Sequence, residues 1–538
     1  MRSTFSGLEL ARRALESQQT ALDTTGHNIA NANSKGYTRQ VVNLQATIPS
    51  SIPSMGHNLS VGTGVTVQGI ERARDIFVDR QYRWENTKQS YWSARQDNLN
   101  KVEGLLNEPD DNSFSNDMDK FWNAWSELSK NPENLGSRSV LLERAATLAD
   151  TLHHIDQQIT EMQKGLDSSV RVQINQINVS AKQIQELNFQ IKRAEVAGDN
   201  PNDLRDKRDT LVDELSQLVN VRVVESRDAT FKDREVNVFK VYIGDDKTVN
   251  NILVDDTTAY QLEEPTPADA TGLPFAEVKW AAGHPYLAEN TVNLGDKVGK
   301  LQSDLLLRGS GYNLDLDGDT IDDETKDNAY LSYLRQKYND LAAGIATAVN
   351  AIHKTGIDKN GNSGEDFFTS TDIVSPISAD NIKVNVNLVS DPWKVATGKV
   401  TFDGTVKVGS YGNGEIAQAI SSLSSGWTGL MNLTDPGTGL PIVTAPTPSV
   451  DASSFGDYYG SSISELGVDV QQATRMAEGQ AVLVNHMFNQ RESLSGVSLD
   501  EEMTNLVRFQ KSYSAAARVV TLLDDMLNTI VNGMGITR

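Results

Sequence analysis

Apolar residues recur every seven positions near the start of the chain, at Leu8, Leu15, Leu22 and Ile29. Near the end, Leu499, Met503, Leu506, Tyr513, Ala517, Val520, Leu523, Leu527 and Ile530 keep a 4-3 spacing, with polar Gln510 on one rung and a one-residue slip after Val520. A repeat near 3.5 residues lays one narrow apolar seam along a helix, which is the requirement of a coiled coil. A single short helix is marginal in water, so neither seam is satisfied alone. The two ends are expected to pair with each other, with copies of themselves, or both. That points to assembly rather than to catalysis.

Between the ends the period changes twice. Residues 4–31 read as a helix that ends in NIANANSKGYTRQ, where Asn31, Asn33 and Gly36 tolerate left-handed backbone. Residues 40–70 alternate like strands, and a helix from about 72 to 107 follows. Phe121, Trp122, Trp125 and Leu128 form one bulky face of a further helix. From Leu148 to Ala194 the 4-3 rhythm runs for 47 residues with few lapses, a rod of roughly 70 Å. GDNPNDLRDKRDTLVDELS then turns the chain into an antiparallel helix. From residue 221 strand-like alternation takes over, with helical spacing at 328–353 and β-like segments such as NIKVNVNLV in 373–460.

This order predicts an elongated α+β multidomain protein: terminal coiled-coil-like helices and a helical-bundle core with inserted β-rich outer domains. The expected boundaries are 1–50 for an N-terminal assembly helix with its extended segment and 51–220 for the helical core. A β-rich outer region should span 221–465, a returning core helix 466–497, and the C-terminal assembly helix 498–538.

Composition narrows the function classes. The 538 residues are enough for roughly three or four domains. No apolar run approaches the ~18 residues of a membrane helix, so no membrane partner is expected. A net charge of -23 disfavours nucleic acid, whose phosphates would be repelled. There is no cysteine, which excludes disulfides, thiolate metal sites and a cysteine nucleophile. It would also suit a chain kept unfolded during export. Glu9, Arg12, Arg13 and Glu16 break any signal-peptide core, so export is expected to use no cleaved leader.

The chemical motifs are few. Ser498 with Glu501 three residues on is a capping box opening the last helix. Asn313, Asp315, Asp317, Gly318 and Glu324 fall at positions 1, 3, 5, 6 and 12 of an EF-hand loop. Asn stands at position 1 and Thr320 where an apolar residue belongs, so an acidic surface loop is the expectation and no metal is predicted. DKNGNSGED at 358–366 is a weaker match, with Ser363 in the place of the turn glycine. The seven histidines are scattered without HExxH spacing, and no GxSxG occurs. No catalytic residue and no cofactor is predicted.

Four segments carry a resemblance. SGLELARRALESQQTALDTTGHNIANANSKGYTRQ resembles the opening shared by flagellar axial proteins. GVTVQGIERARDIFVDRQYR, NDLRDKRDTLVDELS and RESLSGVSLDEEMTNLVRFQKSYSAAARVVTLLDDMLNTIV are similar to segments of the first hook-associated protein family, FlgK. The resemblance covers about 1–220 and 465–538, with one further stretch in the middle, and departs most at 225–325. It implies a structural subunit at the junction of hook and filament, without enzymatic activity. It also implies export through the flagellar type III channel after capture by a cytoplasmic chaperone. The implied partners are copies of itself in a ring, the hook protein and the third hook-associated protein. The competing readings are another axial protein, such as the third hook-associated protein or a hook subunit, and an extracellular enzyme or calcium-dependent adhesin carried in the outer region.

Overall fold

The structure, a computed structural model, describes residues 6–54, 57–106, 113–231, 234–244, 251–263, 275, 278–284, 292, 294–309, 329–371, 375–403, 406–426 and 454–529. Helix α1 (Ser6–Asn31) leads into a β-ribbon of β1 (Gln40–Ala46), β2 (Ser50–Ser54), β3 (His57–Val61) and β4 (Val65–Arg72). In the ribbon β1 pairs antiparallel with β4, and β2 with β3. Helices α2 (Ile76–Leu106), α3 (Phe114–Lys130), α4 (Leu135–Ala197) and α5 (Asn202–Leu218) follow.

The 63 residues of α4 make a rod of about 95 Å, longer than its apolar ladder alone predicts. Asn134 caps its start by accepting from the Gly136 N–H at 2.8 Å. Gly198, at φ 97°, ends it in the left-handed region that favours glycine. The four-residue link then folds α5 back antiparallel: Arg205 reaches Glu195 at 2.6 Å and Arg208 reaches Asn188 at 3.3 Å.

A four-stranded antiparallel sheet comes next: β5 (Val221–Arg227), β6 (Asn237–Ile243), β7 (Ile252–Asp255) and β8 (Thr258–Ala259), paired in that order. After it come α6 (Lys300–Arg308), α7 (Tyr330–Lys354), β9 (Gly356–Ile357), β10 (Phe368–Ser370), β11 (Ile382–Val384) and α8 (Val386–Ser390). The chain closes with β12 (Gly398–Asp403), β13 (Val406–Gly409), α9 (Glu415–Ser421), α10 (Phe455–Ser495) and α11 (Leu499–Asn528).

Two apolar cores are strung along α4. The first joins Leu141 to Leu166 with the aromatic face of α3, with α7 and α9, and with Phe455 at the start of α10. The second joins Val170, Ile174, Ile177 and Ile184 with Val212 and Leu215 of α5, the β5–β8 sheet and Leu301. Ile174 and Ile177 are fully buried. Beyond the cores, α10 runs back along α2. There Arg491 of α10 stacks on Tyr82 of α2, 4.0 Å from its ring centre.

One strand expectation is corrected, and the packing bears on the expected boundaries. Phe367, Phe368, Leu388 and Ile420, from the stretch expected as the outer region, lie in the first core. Phe367 meets Phe121 and Trp125 of α3 and His353 of α7. NIKVNVNLV is not one strand. Asn385 accepts from the Asn387 N–H at 3.0 Å and so starts α8 where the Val-Asn alternation reads as β. Helix α10 begins at Phe455, capped by Ser454.

Candidate assembly interface

Helices α1 and α11 pack against each other. A Cβ on Gly7 would stand 3.3 Å from Leu523 Cδ2, and Asn28 bonds Glu502. Going from Gly7 to Asn28 on one helix retraces Leu523 to Glu502 on the other, three heptads each, so the pair is antiparallel and in step. Ala11, Ala21, Thr25 and Asn28 are its buried residues on α1, with Ala14 and Gln18 partly buried between them. This seam runs one residue ahead of the leucine ladder, because small side chains let the helix backbones approach. Leu8, Leu15, Leu22 and Ile29 flank it and are half-buried.

On α11, Leu506, Val520, Leu523 and Leu527 are half-buried, while Tyr513 lies at 37% exposure. Leu499 and Met503 stand 49% and 54% exposed. Ile530 lies outside the described residues. With Leu499 and Met503, Val507 leaves one apolar patch exposed at the start of α11, and Val519, Leu522 and Met526 leave a second at its end.

The pair is closed at one end by polar chemistry. Asn28 Nδ2 donates to Glu502 Oε2 at 3.0 Å and to the Gln40 carbonyl at 2.9 Å. Its Oδ1 accepts from the Tyr37 hydroxyl at 2.8 Å and from the Gln40 N–H at 3.0 Å. The other oxygen of Glu502 accepts from Arg39 Nε at 2.9 Å, and Arg39 also meets Glu501 at 3.0 Å. Glu502 is 2% exposed. Ser498 caps α11 through the Glu501 N–H.

No residue of α1, α11 or the ribbon belongs to either apolar core among the described residues. The terminal unit meets the body through charge instead. Helix α5 turns Asp206, Asp209 and Asp213 to one side, three and four residues apart. Asp206 accepts from the Thr38 N–H at 2.9 Å and from Arg72 at 2.8 Å. Asp209 takes Arg72 at 2.7 Å and Arg74 at 2.9 Å. Asp213 takes Arg83 at 2.6 Å and Arg491 at 2.7 Å. Burial alone would raise the Asp209 carboxyl, but Arg74, Arg72 and Arg83 outweigh it and hold the group well below the usual carboxylate range. Gly36, at φ 77°, lies against Thr210, where any Cβ would collide with its hydroxyl.

Known families match the same division of the chain. Profiles described as "Flagella basal body rod protein" and "Flagellar basal body rod FlgEFG protein C-terminal" match residues 8–38 and 490–533, the two stretches that form the terminal pair. One described as "Flagellar hook-associated protein FlgK helical domain" matches residues 99–368. Flagellar hook-associated protein 1 of Bacillus subtilis (strain 168) is 32% identical over 550 residues, covering 100% of this chain and 99% of that one. The chain belongs to the flagellar hook-associated protein 1 family.

The family member of Escherichia coli (strain K12) is 29% identical over 97% of this chain and 98% of its own. The solved structure of the flagellar hook junction protein FlgK from Burkholderia pseudomallei shares the fold, with a TM-score of 0.56 at 16% identity, over 78% of this chain and 100% of that one. Membership places this hook-associated protein in the flagellum, in a structural family. Among its described residues, no group of three or more His, Asp or Glu is arranged to hold a metal. No helix of those residues is long and apolar enough to cross a membrane. The acidic loop Asn313 to Glu324 lies outside them. In the weaker match, Asp358 Oδ1 is already taken by the Asn360 and Asn362 N–H groups, each at 2.8 Å. Asn28, Arg39 and Glu502 are the site residues that the apolar ladders do not reveal.

Proposed function

We infer that this chain is a structural subunit that joins the flagellar hook to the filament, and that the α1–α11 pair is the device by which it assembles. Family membership supports the place. The observation that carries the device is the pair of exposed apolar patches on α11, Leu499, Met503 and Val507 at its start and Val519, Leu522 and Met526 at its end, on a helix pair that contributes to neither core among the described residues. Exposed apolar patches on a helix outside the cores mark a surface that meets neighbours.

In this reading the terminal helices, within 1–50 and 498–538, line the assembly with copies of the same chain in a ring. The hook protein lies on one side and the third hook-associated protein on the other. The body between them stands outward: 51–220 and 466–497 as helical core, and 221–465 as an outer region from which Phe367, Phe368, Leu388 and Ile420 pack into that core. The subunit reaches this place through the flagellar type III channel after release from a cytoplasmic chaperone, and it carries out no catalysis. Immunogold labelling of the tagged full-length chain on intact flagella tests the reading. Label confined to the hook–filament boundary is expected; label along the filament, or none on the flagellum, would refute it.

A further inference from the structure

We propose that Asn28 and Glu502, with Arg39, set the register in which the two terminal helices pair. The consequence for assembly rests on the function proposed above, but the register itself is a property of the chain and is read in the chain.

A seam that repeats every seven residues fits itself again after a slip of one heptad, about 10 Å along the axis. Gly7, Ala11, Ala14 and Ala21 offer α11 little to tell one rung from the next. Leu506, Val520 and Leu523, at 4-3 spacing, repeat in the same way. Apolar contact therefore holds the helices together without choosing among registers.

The polar rung does choose. All four hydrogen-bonding positions of the Asn28 amide are used. Both Glu502 oxygens are engaged, one by Asn28 and one by Arg39. A slip of one heptad in one direction puts Glu502 against Ala21. A slip in the other puts Asn28 against Phe509. Either way a buried carboxylate or amide loses its partners, and an unsatisfied buried group costs more than its bonds are worth net. One buried polar residue in an apolar seam is the kind of feature that specifies register at some expense of stability. The rung also sits where the helices leave the body. The Arg39 N–H donates to the Ser495 carbonyl at 2.9 Å, so the loop after α1 and the residues before α11 are tied at that same end.

The chain has no cysteine, so paired cysteines report register directly. In the purified full-length chain, Gly7→Cys with Leu523→Cys reads the native register, and Gly7→Cys with Ala516→Cys reads the one-heptad slip. On copper-phenanthroline oxidation the native pair should close at least about tenfold faster than the slipped pair, as expected of a specified register. Adding Asn28→Leu and Glu502→Leu keeps the seam apolar and should bring that ratio below about threefold, with helix content unchanged by circular dichroism. Glu502→Gln retains an acceptor for Asn28 and should restore the preference. If the double leucine chain loses helix, Asn28→Ala alone carries the test and must raise the slipped product. A native preference that survives the leucines, or Asn28→Ala where that carries the test, would mean that the tethers to the body fix the register, and the proposal would fall. So would a parent chain without preference. Neither result depends on where the protein sits on the flagellum.

Discussion

Helix α4 and the α1–α11 pair share a 4-3 apolar rhythm and use it for different ends. Along α4 the rungs are large and sealed: Val170, Ile174, Ile177 and Ile184 are fully buried, and other elements cover them along both cores. In the terminal pair the buried rungs are small, the leucines flank them half-exposed, and one rung is polar. The same period therefore marks a spine in one place and an unfinished interface in the other. Burial of large aliphatic groups stabilises the body, at roughly 1.5–3 kcal/mol for each fully buried side chain. The exposed apolar side chains of α11 leave part of that stabilisation for a neighbour.

The contrast can be broken most sharply at the spine. Ile177→Asp places an unpaired carboxylate in the second core and should prevent folding, read as loss of soluble, cooperatively melting protein. Ile177→Ala should cost about 2–5 kcal/mol in urea unfolding. A soluble, cooperative Ile177→Asp chain would place that seam in solvent.

The joint should respond next. Asp209→Asn removes the charge shared by Arg72 and Arg74 and should cost roughly 3 kcal/mol, as loss of one partner in a buried ion pair does. Hydrogen exchange should rise in residues 32–40 and stay unchanged in the centre of α4. Equal loosening of both would remove the distinction between joint and spine.

A pH effect arises within the body. His353 is fully buried, its Nδ1–H donating to the Glu365 carbonyl at 2.6 Å and its Nε2 accepting from the Ala396 N–H at 2.8 Å. The bond accepted at Nε2 requires the neutral ring. Burial pushes its pKa down from 6.5 to about 4. The unfolded chain therefore takes up a proton that the folded chain refuses, and stability is full above pH 6.5 and lost as pH falls toward 4. The loss should be about 3 kcal/mol. Urea midpoints across that range should flatten in His353→Gln, and an unchanged slope would show that other groups titrate instead. The smallest effect belongs to the terminal pair. Ser498→Ala should cost about 1 kcal/mol as a lost helix cap, seen as faster exchange in the first turn of α11 with the melting of the body unmoved.

The legibility of the sequence follows the same contrast. The spine could be read because isoleucine and leucine at 4-3 spacing have one physical use in so long a run. The terminal helices were legible as helices and as a pair, yet the seam lay one residue away from the leucines. Glycine, alanine and threonine make close contact without announcing it in a hydrophobic pattern. Asn28 and Glu502 stand 474 residues apart. Each has an ordinary local explanation, a helix end for one and an acidic first turn for the other. The acidic side of α5 left a fainter signal, since Asp206, Asp209 and Asp213 recur at the spacing of one helix face. Its arginine partners come from three separate elements, which no local pattern connects. In the β-rich stretch, alternation of Val and Asn concealed a side-chain cap that turns the chain into a helix.

The central claim is that the body folds on its own and the terminal pair exists to assemble. A chain lacking residues 1–45 and 500–538 tests it most directly, examined as purified protein and in cells that lack their own copy. The account predicts that the shortened chain keeps its helical content and melts within about 5 °C of the parent, while the cells shed filament subunits and do not swim. Cells that swim on the shortened chain, or a shortened chain that no longer folds, would contradict it.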